Sequence, residues 1–277
     1  MTSPVPKHLR VPNEYEAIPE ALQRHVVDLH VNPSNAIEIP GSANHRAKFA
    51  PGLATALADL AATSNIGDPM CGVGTLAWET GRHMFLNDID HAMIKFTAPL
   101  SRWGCVVSAV PATKISWACS TCIFSPPYYP KADRMKPAAH NDAKRGPVVG
   151  FRDSYACDHP DFIGNPGGVD AILKYRQQMT AVYDHLKSVC NRMIVVTKNW
   201  TRLGVEMRLD LDTILMAQSV GWILTDRHGW EPPPSLWSRF NKQRGGGISV
   251  EDVLVFKRAP GFRDPRNISI QELSKRR

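Results

Sequence analysis

Four consecutive residues, Ser125-Pro126-Pro127-Tyr128, have the types and order to do chemistry together. They follow the apolar run 119–124, which reads as a strand, and a proline pair at a strand's exit extends neither strand nor helix. The backbone there is a stiff elbow that ends in an aromatic ring, with carbonyls that have no N–H beside them. Such an elbow can stack on a planar base while a fixed carbonyl accepts a hydrogen bond from the base's exocyclic amine. That amine is a poor nucleophile because its lone pair is delocalised into the ring. Hydrogen bonds from it to the Ser125 side chain and the Pro126 carbonyl would draw the nitrogen towards a tetrahedral geometry and stabilise the positive charge that grows on it. Tyr128 would stack on the base, and no covalent intermediate is needed.

A second segment, 66–79, reads IGDPMCGVGTLAWE. Gly72 and Gly74 fall where a strand turns into a helix starting near Thr75. Glycines there allow the close backbone approach that lets a nucleoside cofactor lie against the turn. Asp88 follows the apolar residues 84–86 at the distance from Asp68 expected of an acid that binds a ribose hydroxyl.

These residues resemble a family. DPMCGVGT is similar to the cofactor motif, and FSPPYY to the catalytic motif, of the S-adenosylmethionine-dependent DNA amino-methyltransferases, which methylate the exocyclic nitrogen of cytosine or adenine. His45-Arg46-Ala47-Lys48-Phe49-Ala50-Pro51 resembles the segment that closes over the methionine end of that cofactor. The resemblance covers 40–258 and implies a Rossmann-like methyltransferase fold with S-adenosylmethionine as cofactor. It assigns Ser125, Pro126, Pro127 and Tyr128 to catalysis and Lys48, Phe49, Asp68, Pro69, Met70, Gly72, Gly74, Thr75 and Asp88 to the cofactor. The motif order is similar to the circular permutation in which target recognition follows the catalytic motif. A serine at the first elbow position is commoner in the cytosine N4 enzymes, so cytosine N4 is the expected target, with adenine N6 the alternative. The family's acid after the third strand has no counterpart at 107–113.

The elements that must hold these motifs are legible from periodicity. Leu53, Leu57 and Leu60 recur at helical spacing, and Val169, Ile172, Leu173, Met179, Val182, Tyr183 and Leu186 form a longer amphipathic stripe. The runs 192–197 and 250–256 read as strands, with a helix over 209–220 and a strand over 222–225 between them. This alternation predicts an α/β fold: a mostly parallel sheet with helices on both faces and an antiparallel edge hairpin. Ligands in such sheets bind beyond the carboxyl ends of the strands, where the glycine loop and the elbow both sit. The expected organisation is an N-terminal extension over 1–39, a methyltransferase domain over 40–258 and a C-terminal tail over 259–277.

Two polar, Gly/Pro-rich and basic segments, 131–168 and 227–247, interrupt the alternation as insertions. Their Lys131, Arg134, Arg239, Lys242 and Arg244, interleaved with aromatics, are the expected DNA contacts. A net charge of +7 over 277 residues agrees with a polyanionic partner. No apolar run is long enough for a bilayer and the N-terminus has no signal-peptide core, which predicts a soluble, cytoplasmic protein without membrane contact. No metal is expected. Cys119 and Cys122 fall in a predicted buried strand where cysteine acts as a small apolar residue, although Cys157 and His159 would complete four zinc ligands. No Pro-Cys pair is present, which argues against attack on cytosine carbon 5. The alternatives are an RNA or protein methyltransferase of the same fold and a non-catalytic DNA-binding module. A partner restriction endonuclease, the recognised DNA sequence and the oligomeric state are left open.

Overall fold

In chain order the elements are β1 (Val27–Asp28), α1 (Leu53–Leu60), β2 (Ile66–Asp68), α2 (Thr75–Thr80), β3 (Met84–Asn87), α3 (His91–Thr97), β4 (Val106–Ser108), β5 (Thr121–Phe124), α4 (Ala171–Leu186), β6 (Arg192–Lys198), β7 (Trp200–Arg202), β8 (Val205–Met207), α5 (Leu209–Ser219), β9 (Trp222–Trp230) and β10 (Glu251–Arg258). The computed structural model describes residues 27–31, 39, 49–50, 52–127, 161, 163, 171–202, 205–230 and 250–261. Among the described residues eight strands form one sheet in the order β1-β9-β10-β6-β5-β2-β3-β4, and β7 pairs with β8 separately. The run from β4 to β6 is parallel throughout, whereas β10 is antiparallel to both β6 and β9. This is the mostly parallel sheet with helices on both faces and an antiparallel edge hairpin that the alternation predicts.

The strands are short and apolar on both faces because helices cover both. Along β6, Met193 and Val195 pack into one core while Ile194 and Val196 pack into the other; β10 repeats this with Leu254 and Phe256 against Val253 and Val255. The two-residue period of a strand sends neighbours to opposite sides, so a continuous apolar run is what a doubly covered sheet requires. On the first face lie α4 and α5; on the second lie α1 and α2. The buried stripe of α4 is Tyr175, Met179, Val182, Tyr183 and Leu186. Leu173, expected in that stripe, is 55% exposed, and Tyr175 takes the inward position instead. Val169 lies outside the described residues.

Strand β9 corrects the sequence reading. It runs to Trp230, so Arg227 and the three residues after it belong to the ladder opposite β10 and not to a basic insertion. The outer side of β9 is itself paired, in parallel, with β1 through Val27↔His228 and Asp28↔Gly229. The hairpin is antiparallel as expected, but a strand from the 1–39 segment covers its edge, and Ile39 from the same segment packs with Val73 and Phe96.

After β2 the chain crosses to β3 and β4 on one side, then returns to β5 on the other. The order therefore reverses between β2 and β5, which pair directly through Ile66↔Thr121 and Gly67↔Cys122. A crevice opens at such a switch point because the connections on its two sides leave in opposite directions.

Candidate active site

The loop leaving β2 is held by its own backbone and by the loop after β3. Asp68 is buried, and its Oδ1 accepts the Met70 N–H at 3.0 Å. The Cys71 N–H donates to the Asn87 carbonyl at 2.8 Å, and the Gly74 N–H turns back to the Cys71 carbonyl at 2.8 Å. At Gly74, which caps α2, φ is +77°, and an added Cβ would lie 2.9 Å from Thr97 Cγ2. Both the left-handed backbone and the close approach demand glycine.

Asp88 completes this arrangement. Its Oδ2 accepts the Gly72 N–H at 2.8 Å, and its Oδ1 accepts the Asp90 N–H at 2.9 Å. Asp90 has a separate task, capping α3 by accepting the Ala92 N–H at 2.8 Å. The structure thus distinguishes the two neighbouring acids: Asp88 lies against the glycine loop, while Asp90 begins the next helix.

The site is electrostatically unusual. Burial pushes the Asp68 carboxyl up to about 8, the Met70 N–H offsets this in part, and the charge of Asp88 adds to the rise. Burial pushes Asp88 up to about 6 against the pull of the Asp90 and Gly72 amides. The Cys71 thiol is raised too, by burial first and then by both carboxylates. Among the described residues neither Asp68 nor Asp88 makes an ion pair. Thr75 is also buried, and its Oγ1 finds no hydrogen-bond partner among them.

The elbow leaves β5, the strand next to β2. All four residues of β5 are buried, and Ser125 and Pro127 are half-buried with Pro126 buried between them. The prolines supply no N–H, so only carbonyls can be gripped. The Tyr175 hydroxyl donates to the Pro127 carbonyl at 2.8 Å. Among the described residues no donor reaches the Pro126 carbonyl. The glycine loop and the first three residues of the elbow therefore leave adjacent parallel strands at the same end of the sheet.

A third set of contacts, unread in the sequence, ties in the end of β4. Asn87 is fully buried; its Nδ2 donates to the carbonyls of Pro69 at 3.1 Å and Val110 at 2.9 Å. Its Oδ1 accepts from Ser108 Oγ at 2.8 Å, and Ser108 Oγ accepts from Trp117 Nε1 at 3.2 Å. At the end of β4, where the resemblance implies an acid, the Ser108 hydroxyl serves the scaffold. The signal was present as a polar residue closing an otherwise apolar strand, directly before Asp88.

Phe49 packs against the second core. Lys48, Tyr128, Lys131, Arg134, Arg239, Lys242 and Arg244 lie outside the described residues, as do Cys157 and His159. Cys119 and Cys122 sit with their sulfurs 3.6 Å apart inside the first core, beside Cys190. Arg227 is buried in an ionic cluster: it pairs with Asp210, and with Asp252 through bonds of 3.0 and 2.8 Å. Arg208 joins Asp210 at 2.9 and 2.7 Å, and the Asp210 N–H donates to Asn199 Oδ1 at 3.1 Å. An arginine enclosed this way serves the fold at the start of α5, not an external polyanion.

No family model matches the chain, and no curated protein matches it in sequence. Among solved structures, the magnesium protoporphyrin IX methyltransferase of Synechocystis, with bound S-adenosylmethionine, aligns with 75% of this chain and 80% of its own at 12% identity and a TM-score of 0.42. An N-methyltransferase of Bradyrhizobium japonicum aligns with 75% of this chain and 94% of its own at 8% identity and a TM-score of 0.43. An rRNA methylase of Streptococcus thermophilus aligns with 81% of this chain and 99% of its own at 13% identity and a TM-score of 0.36.

Proposed function

We propose that this chain is a methyltransferase that uses S-adenosylmethionine to methylate the exocyclic N4 amine of cytosine in DNA. The observation that carries the reading is the meeting of two loops at the switch point: an acid-lined glycine loop from β2 beside a proline elbow from β5. Neither loop has this meaning alone. Together, a loop suited to a nucleoside and a carbonyl suited to an amine leave neighbouring strands, which supports this reading.

The residues present fit the cofactor. Asp68 and Asp88 are buried carboxylates without a cationic partner among the described residues, which suits a ligand that carries positive charge. S-Adenosylmethionine supplies a methyl group made electrophilic by a sulfonium cation. In this reading Asp68, Pro69, Met70, Gly72, Gly74 and Thr75 form the cradle, Asp88 faces the ribose, and Lys48 and Phe49 close over the amino-acid end.

On the substrate side, Ser125 and the Pro126 carbonyl accept hydrogen bonds from the amine and lend it tetrahedral character. Tyr128 stacks on the base after it leaves the duplex, since a paired amine is out of reach. The elbow holds its acceptor in place before reaction, so no reorganisation is needed as charge develops on nitrogen. No carboxylate stands at the first elbow position. The methylated, positively charged amine is acidic enough to lose its extra proton to water, and the elbow needs no base of its own. Lys131, Arg134, Arg239, Lys242 and Arg244 bind the DNA backbone in this scheme.

The test is to digest DNA and RNA from cells expressing the protein to nucleosides and to weigh the products. N4-methyldeoxycytidine, absent from cells without the protein, is the expected result. N6-methyldeoxyadenosine would reassign the base, a methylated ribonucleoside would reassign the polymer, and no new methylated nucleoside in either would overturn the reading.

A further inference from the structure

We propose that Tyr175 is a positioning residue for the elbow: by holding the Pro127 carbonyl it orients the peptide joining Pro127 to Tyr128 and reserves the Pro126 carbonyl for the substrate amine. The inference rests on the function proposed above and adds a residue outside its motifs.

An elbow made of two prolines cannot be anchored like other loops. It has no N–H at either proline with which to join a ladder or meet an acceptor, so its orientation can be fixed only through its carbonyls or by packing. Tyr175 uses one of them. It is fully buried, and its hydroxyl reaches the Pro127 oxygen at 2.8 Å across 48 residues of sequence. A carbonyl oxygen belongs to a planar peptide, so a bond to it restrains the rotation of that plane. The adjacent Pro126 carbonyl, with no donor among the described residues, remains an acceptor.

The donor is itself held on a rigid rail. Arg176, the next residue of α4, meets Asp212 of α5 at 2.7 and 3.3 Å. Further along, Met179, Val182, Tyr183 and Leu186 are buried in the first core, and Tyr183 lies 6.3 Å from the ring of Phe124, the residue before the elbow. His185, near the end of the helix, meets the Ile115 carbonyl at 3.0 Å. Helix α4 is thus fastened along its length, and the Tyr175 hydroxyl reports that fixed position to the elbow.

Tyr175→Phe keeps the ring and removes only the hydroxyl. Tyr183→Phe is the matched control, two turns along the same helix, where the buried hydroxyl faces Thr213 and makes no hydrogen bond of normal geometry among the described residues. Three measurements on the full chain decide the matter: steady-state methylation of duplex DNA, calorimetric affinity for S-adenosylmethionine, and hydrogen exchange of the peptide over 121–129. For Tyr175→Phe we expect kcat to fall about ten- to a hundredfold, as a misplaced reacting group does. Cofactor affinity should stay within about twofold, which separates positioning from binding. Exchange in the 121–129 peptide should accelerate, and Tyr183→Phe should match wild type in all three. Unchanged kcat and exchange in Tyr175→Phe would overturn the proposal, as would equal losses in both variants. If wild type methylates no DNA, the functional reading fails by itself. The exchange arm still decides whether Tyr175 holds the elbow.

Discussion

Replacing Asp68 with asparagine should stabilise the protein at neutral pH while weakening its hold on a cationic ligand. Asparagine keeps the shape and the acceptor for the Met70 N–H but removes the charge. The folded Asp68 carboxyl is pushed from 3.8 up to about 8, by burial before any other cause. Between those values the folded protein binds one proton that the unfolded chain has released. Stability therefore falls as pH rises through this window, by about 1.4 kcal/mol per unit. From about pH 5 to about pH 7 the wild type should lose roughly 2.7 kcal/mol relative to Asp68→Asn. Asp88, raised to about 6, titrates in both proteins, so the difference between them is the quantity to read. Urea unfolding of the two ligand-free proteins across the range supplies it, the midpoint and slope giving the free energy at each pH. Curves that run parallel from acid to neutral pH would refute the reasoning, because Asp68 would then carry no extra proton in the folded state. With S-adenosylmethionine present the order should reverse. Wild-type affinity should strengthen as pH rises towards about 8, where Asp68 ionises, and Asp68→Asn should bind more weakly with a flatter dependence.

Tyr128→Ala should leave cofactor affinity nearly intact while lowering turnover strongly, since stacking on a flipped base contributes roughly 1–3 kcal/mol; paired calorimetry and methylation kinetics check both halves. Arg227→Met should destabilise the fold by about 3–5 kcal/mol by leaving Asp210 and Asp252 buried without one of their cations, read by urea unfolding, and should not alter the salt dependence of DNA binding. Neutralising Arg239, Lys242 and Arg244 together should weaken DNA binding and reduce the slope of log affinity against log salt by close to one unit per lost phosphate contact, with cofactor affinity unchanged.

Local signals were sufficient for much of this protein. Two prolines after an apolar run end a strand, and glycines between an apolar run and a helical stripe turn the chain, so the end of β5 at Phe124 and the start of α2 at Thr75 were legible. The same holds for the core runs of β6 and β10, whose apolar continuity reflects helices on both faces. Other features depended on contacts between residues far apart in the chain. Arg227 reads as one more basic residue before a basic stretch until β10 brings Asp252, and α5 brings Asp210, against it. Asp88 and Asp90 are equivalent in sequence, and only their different backbone partners, Gly72 for one and Ala92 for the other, divide their tasks. Tyr175 and Pro127 lie 48 residues apart and carry no mutual mark in either segment. Periodicity reports which way a side chain faces. It does not report which distant group it meets, because that depends on strand order, and strand order is set by how the whole chain buries its two cores.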